Sequence, residues 1–110
     1  DSIKLVNNLK KIGFDYVCVS SGGILPKTKM KIKSAFRKNL SKKIKENCKI
    51  LVRTSGEINN IKLAENLIKK KYVDFIAVGR KFIKDPNWII SEAKKRKLVD
   101  YVPKQYLRCF

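Results

Sequence analysis

Histidine is absent from this 110-residue chain, and Asp and Glu together number only nine. Without histidine there is no Ser-His-Asp or Cys-His nucleophile set, and the commonest metal ligand is missing. The carboxylates form no convincing pair for general acid and base work: Glu57 reads as a loop charge and Glu65 as a helix-surface charge. Cysteine occurs three times, at Cys18, Cys48 and Cys109, an odd number whose spacing matches neither a metal site nor a disulfide framework. These read as reduced thiols, with Cys18 and Cys48 expected as small core residues. No apolar run approaches the ~20 residues needed to cross a bilayer, and Asp1-Ser2-Ile3-Lys4 lacks the layout of a signal peptide. The expected setting is cytoplasmic, with no membrane partner.

Positive charge is what the chain has in excess: 27 basic residues give a net +18, which on its face suggests a nucleic-acid or anionic-membrane partner. The distribution weakens that suggestion. Lysine far outnumbers arginine, which occurs only at Arg37, Arg53, Arg80, Arg96 and Arg108, and lysines are scattered along every helical segment. Abundant Lys, Ile and Asn together are what codon bias toward A and T produces. A reader of bases concentrates arginines on one element or interleaves aromatics as stacking platforms. The densest run, Lys27 to Lys33, reads either as a solvated loop or as a phosphate-contacting arm. A small basic α/β nucleic-acid-binding module therefore stays as the alternative from another functional class.

With 44% hydrophobic residues in a regular pattern, the chain has enough apolar content for one domain, residues 1–110, with a modest core. Leu5, Val6, Leu9 and Ile12 share a helical face, and Gly13 supplies the left-handed stop. Phe14 to Val19 is a nearly continuous apolar strand ending in Ser20-Ser21-Gly22-Gly23, as expected for a parallel strand buried on both faces. Phe36, Leu40 and Ile44 mark a second helix with Ser34 placed as its N-cap. Ile50-Leu51-Val52 opens a strand that closes in Thr54-Ser55-Gly56, and Ile61, Ala64, Leu67 and Ile68 mark a third helix. Val73 to Val78 is the third strand. Asp85 as N-cap and Pro86 at the first helical position open a last helix through Trp88, Ile89 and Ala93, followed by an extended tail from Lys97 to Phe110. This alternation makes parallel βαβ units with right-handed crossovers. Three strands are too few for a barrel and leave apolar edges unpaired. The chain, starting without Met and inside a helix, is expected to be incomplete.

The most specific local feature is Val78-Gly79-Arg80 at the end of the third strand, followed by Lys81 to Ile83. Glycine admits close approach of an anion to the backbone, a following helix N-terminus directs N–H groups at it, and arginine adds a forked permanent charge. A tight turn with a solvated arginine fits the same residues, and the pair alone leaves both readings open.

Several stretches, in order and spacing, resemble one family across almost the whole chain. They are Leu9 to Asp15, Val19 to Gly23, Gly56 with Ile58, Asp74 to Arg80, Asp85-Pro86 with Trp88, and Pro103 to Arg108. The chain is similar to the C-terminal third of Old Yellow Enzyme-type NAD(P)H:flavin oxidoreductases, nearest the bacterial NADPH dehydrogenase (ene-reductase) branch. Cys109 and Phe110 depart from the family, which often has a small residue and tryptophan there. So do Thr54-Ser55 and Lys27 to Lys38, in place of small residues and a Pro-Gly-Tyr-type loop.

The resemblance implies part of an α/β, (β/α)8 TIM barrel holding strands six to eight, with the missing N-terminal part of the same barrel as partner. It implies FMN as cofactor, NADPH or NADH as reductant, and an electron-poor alkene as the small-molecule substrate. By analogy, the backbone at Gly56 and Gly79 and the side chain of Arg80 hold the FMN phosphate, and such barrels place a phosphate site after strands seven and eight. Ser20, Ser21 and Gly22 line the barrel mouth, or form a plain strand-to-loop turn. Arg108 resembles an arginine that reaches a neighbouring subunit's site, implying a homo-oligomer through the C-terminal tail; an exposed residue on a frayed terminus is the other reading. Another FMN barrel, such as a dihydroorotate-type dehydrogenase, fits the same phosphate pattern. The family's paired histidines and tyrosine lie on strands outside this sequence, so the chain alone is not expected to catalyse.

Overall fold

A computed structural model describes residues 1–22, 32–98, 100 and 102–109. Gly23, the stretch Lys27 to Lys31 of the basic run, and Phe110 lie outside the described residues. The chain divides into two compact units, Asp1–Val78 and Gly79–Phe110.

In the first unit, helix α1 (Ser2–Lys11) leads into strand β1 (Tyr16–Val19), α2 (Lys38–Cys48) into β2 (Leu51–Thr54), and α3 (Ile61–Lys69) into β3 (Phe75–Ile76). The strands are parallel in the sequential order β1-β2-β3, with Tyr16 opposite Leu51, Val19 opposite Thr54, and Thr54 opposite Ile76. The third strand is shorter than the apolar run Val73 to Val78, yet Asp74 N–H donates to Val52 O at 2.8 Å and Ala77 N–H to Thr54 O at 2.7 Å, so backbone pairing reaches beyond it.

Among the described residues of the first unit, the helices cover one face of this sheet. Val52, Val73 and Ile50 are buried with Val6 of α1, Ile44 and Cys48 of α2, and Ala64 and Leu67 of α3, and Val17, Val19 and Ile76 pack against them. The alternate residues Tyr16, Leu51 and Phe75 are 44–46% exposed on the opposite face, where Tyr16 and Phe75 meet edge to face at 5.9 Å. The expectation of two-sided burial is thereby corrected for the described residues: the run Phe14 to Val19 is apolar throughout, but strand periodicity sends Tyr16 and Cys18 away from the helices. Cys18 is exposed for this reason, whereas Cys48, on the inner side of α2, is buried as expected. Sequential parallel strands with every packed helix on one side differ from a doubly wound sheet, whose helices lie on both.

The second helix begins later than expected. Its N-cap is Arg37, and Ser34 instead donates its hydroxyl to Glu57 O at 3.1 Å, tying two loops together. Asn60 caps α3, its Oδ1 accepting from the N–H groups of Lys62 (2.8 Å) and Leu63 (3.3 Å). Inside the core, Ser41 and Thr54 share a buried hydroxyl hydrogen bond of 2.7 Å.

The second unit holds α4 (Arg80–Lys84), α5 (Trp88–Lys95) and a 3₁₀ turn over Lys104–Cys109 where an extended tail was expected. The cap of α5 is Asn87, not Asp85. Phe82 meets the buried Trp88 edge to face at 5.6 Å.

Three helices end in the same way. The N–H of the left-handed residue bonds back three positions and the next N–H bonds back five: Gly13 and Phe14 after α1, Lys71 and Tyr72 after α3, Lys97 and Leu98 after α5. This is the Schellman arrangement, in which a side chain at the left-handed position costs about 1 kcal/mol relative to glycine. Gly13 meets the need; Lys71 and Lys97, both at φ 56°, do not. Lys71→Gly is therefore expected to stabilise the chain by about 1 kcal/mol, read as a raised urea midpoint.

Candidate functional site

Parallel strands bring their C-terminal ends to one edge, and here the ends of β1 and β2 lie side by side because Val19 is opposite Thr54. Loops Ser20 to Gly22 and Ser55 to Gly56 leave this edge together. Glycine is required at Gly56 on two counts. Its φ is +122°, and a Cβ there would stand 2.7 Å from Phe36 Cε1, 2.9 Å from Phe36 Cδ1 and 3.3 Å from Arg37 Nη1. Gly22 also has positive φ, at 60°.

Arg37 joins the two loops. Its Nε donates to Ser21 Oγ at 3.1 Å, Nη2 to Ser21 O at 2.9 Å, and Nη1 to Ser55 Oγ at 3.2 Å. The guanidinium lies over the Phe36 ring, 4.2 Å from its centroid. Two aligned hydrogen bonds to one residue and a third across to the next loop fix the plane of the fork. Local chain geometry places it: Ala35, buried at φ 51°, and the bonds Phe36 N–H to Lys33 O and Lys38 N–H to Ala35 O form a tight double turn before α2.

Gly79 and Arg80 open the second unit, Gly79 as N-cap of α4 and Arg80 as its first residue, exposed. A Cβ at Gly79 would meet nothing within 4 Å, and its φ of −103° lies outside the left-handed region that favours glycine, so packing does not demand glycine there. Helix α4 spans five residues, too short for an aligned dipole to add to the N–H groups at its start. What this position offers an anion is open backbone and the Arg80 charge. Arg108 is exposed on the 3₁₀ turn of the same unit.

Of the residues singled out from sequence, the structure thus gathers Ser21 and Gly56 around Arg37, with Ser20 and Gly22 in the adjoining loop. Arg37 itself was not singled out. It stands among the lysines of residues 27–38, and its role depends on two loops that approach only in the folded chain; its one signal was being a lone arginine in that stretch.

The opposite end of the sheet carries a cavity of about 370 Å³ bordered by Lys10, Lys45, Lys49 and Asp74. Its cations already serve the fold: Lys45 pairs with Asp74 at 2.5 Å, and Lys10 donates to the carbonyls of Cys48 and Lys49 that end α2. Among the described residues no group of three His, Cys, Asp or Glu could hold a metal ion, and no helix is long and apolar enough to cross a membrane.

No family model matches the chain. It is 28% identical over 110 residues, its full length, to an NADPH dehydrogenase of Clostridium acetobutylicum, of which it covers 32%. The same identity and coverage hold for an NADPH dehydrogenase of Bacillus pumilus. Over 96 residues, 84% of the chain, it is 37% identical to an NADH:flavin oxidoreductase of Gibberella zeae, covering 23% of that protein. The resemblance to Old Yellow Enzyme-type flavin oxidoreductases stands. The chain spans about a third of the length of the NADPH dehydrogenases it matches.

Proposed function

We propose that this chain is the phosphate-holding portion of an FMN-dependent NAD(P)H oxidoreductase of (β/α)8 form. The observation that carries the reading is the sheet face that α1, α2 and α3 leave open, which carries Tyr16, Leu51 and Phe75 together with Arg53, whose guanidinium lies 5.3 Å from the Tyr16 ring centroid. Tyr16, Leu51 and Phe75 lie uncovered in a chain a third as long as its NADPH dehydrogenase relatives, as expected of strands whose inner face is completed by further strands of the same barrel. The open backbone at Gly79, the crowded glycine at Gly56 and a net charge of +18 all suit a dianionic phosphate. In this reading Gly56, Gly79 and Arg80 hold the phosphate, Ser20, Ser21 and Gly22 border the flavin, and Arg108 reaches a neighbouring subunit. Bound FMN supplies hydride transfer from NADPH or NADH to an electron-poor alkene.

The reading is tested by fluorescence titration of FMN against riboflavin, which lacks the phosphate. FMN is expected to bind more tightly, and Arg80→Ala to weaken FMN about tenfold by removing one charged fork. One cation among 27 changes diffuse attraction only slightly, so a variant that retains full FMN affinity overturns the role of Arg80. The basic nucleic-acid module is supported instead by steeply salt-dependent DNA or RNA binding with no preference for FMN over riboflavin.

A further inference from the structure

We infer that Arg37 anchors a phosphate-monoester site at the ends of β1 and β2, built within the first unit and independent of Arg80. An arginine carries five N–H donors. Among the described residues three of them go to Ser21 Oγ, Ser21 O and Ser55 Oγ, and the other two have no partner there. All three acceptors are neutral oxygens, so they orient the guanidinium without cancelling its charge. Phe36 lies against one face of the guanidinium, 4.2 Å from Arg37 Cζ to the ring centroid, so a ligand would meet Arg37 at its rim.

What stands beside that rim is suited to an anion. Gly56 has no room for a side chain next to Arg37 Nη1, so backbone and guanidinium come close together there. The hydroxyls of Ser21 and Ser55 accept from Arg37, and each still carries an O–H able to donate to an anion. A half-buried charge fixed by three bonds, with hydroxyl donors on either side, is pre-organised for a tetrahedral dianion and loses little freedom on binding. A tie between two loops needs no permanent charge, whereas a charged fork strengthens each hydrogen bond to a phosphate.

The proposal rests on the flavin oxidoreductase reading only for which phosphate is bound. FMN and the 2′-phosphate of NADPH are both monoesters, and riboflavin and NADH are their controls. The experiment is an amide-resolved NMR titration of the full chain with inorganic phosphate, then with each of the four compounds. Phosphate is expected to shift Gly22, Ser55 and Gly56 in a saturable way. Arg37→Ala is expected to weaken it about tenfold, and Arg37→Lys, which keeps the charge and loses the fork, by an intermediate factor. A preference for FMN over riboflavin assigns the site to the flavin, and one for NADPH over NADH assigns it to the reductant. Site-specific phosphate binding with neither preference keeps this inference and removes the flavin reading of this site. FMN binding that is lost in Arg80→Ala yet unchanged in Arg37→Ala keeps the flavin reading, and it overturns this one when inorganic phosphate binding is unchanged in Arg37→Ala too. It is equally overturned if Arg37→Ala lowers the melting temperature but binds phosphate as before, or if wild-type shifts spread over the lysines with no focus on these loops.

Discussion

Gly56→Ala is expected to destabilise the chain by about 3 kcal/mol, combining strain at a φ that L residues rarely adopt with overpacking against the Phe36 ring. The added methyl would sit 2.7 Å from a Phe36 ring carbon and 3.3 Å from Arg37 Nη1, and the guanidinium packs on that ring, so relief requires both side chains to move. A domain of this size holds only about 5–15 kcal/mol in total. The urea midpoint should fall by roughly 2 M, taking a slope of about 1.5 kcal/mol per molar. Gly79→Ala is the control: with open space at the Cβ and negative φ, it should leave the midpoint within about 0.5 kcal/mol of wild type. Equal losses at both positions would show that the crowding at Gly56 relaxes freely.

The second large effect belongs to the far end of the sheet. Asp74 joins β2 to β3 in both directions, its N–H donating to Val52 O and its carboxylate accepting Val52 N–H at 2.9 Å, while Lys45 of α2 binds the other oxygen. Burial pushes this carboxyl up, but the hydrogen bonds from Lys45 and Val52 N–H together outweigh it and hold Asp74 below the ordinary carboxylate value of 3.8. A carboxyl lowered in the folded state binds fewer protons there than in the unfolded chain. Its contribution is thus fully present above the ordinary value and is lost as pH falls through the lower folded-state value. Asp74→Ala removes the acceptor of a strand N–H together with the lysine's partner and is expected to cost about 2 kcal/mol at neutral pH. Asp74→Asn keeps an oxygen for Val52 N–H and loses the charge, so the share of the acid-range pH response that Asp74 carries should be absent and the response shallower than in wild type. Denaturation midpoints from pH 7 to 3 test this; parallel curves for wild type and Asp74→Asn would show that another group sets the acid limit.

Much of the fold could be read from periodicity. Gly13 marked a helix end because only a left-handed residue closes that turn, and the apolar clusters around Val17, Val52 and Ile76 located the strands. What periodicity could not show was which sheet face had a partner. Tyr16 and Phe75 are as apolar as Val17 and Val52, and their exposure depends on what covers the sheet, a property of the whole assembly. The candidate site was legible at Gly56, where the glycine proved sterically required, and less so at Gly79, where packing tolerates a side chain. Arg37 was not legible because its partners lie 16 and 18 residues away, on loops whose meeting is set by strand register.

The lysines that close α3 and α5 bear on how far this chain stands from its own optimum. Both are exposed and neither is among the residues placed at the candidate site, so replacing each with glycine changes the unstrained fraction of the backbone and little else. At about 1 kcal/mol apiece the two substitutions should raise the melting temperature by roughly 4–8 °C each, provided each unit melts with its own helix. A fold that keeps such strain at two helix ends is held at sufficiency, and its heat tolerance can be increased without touching the core or the strand ends.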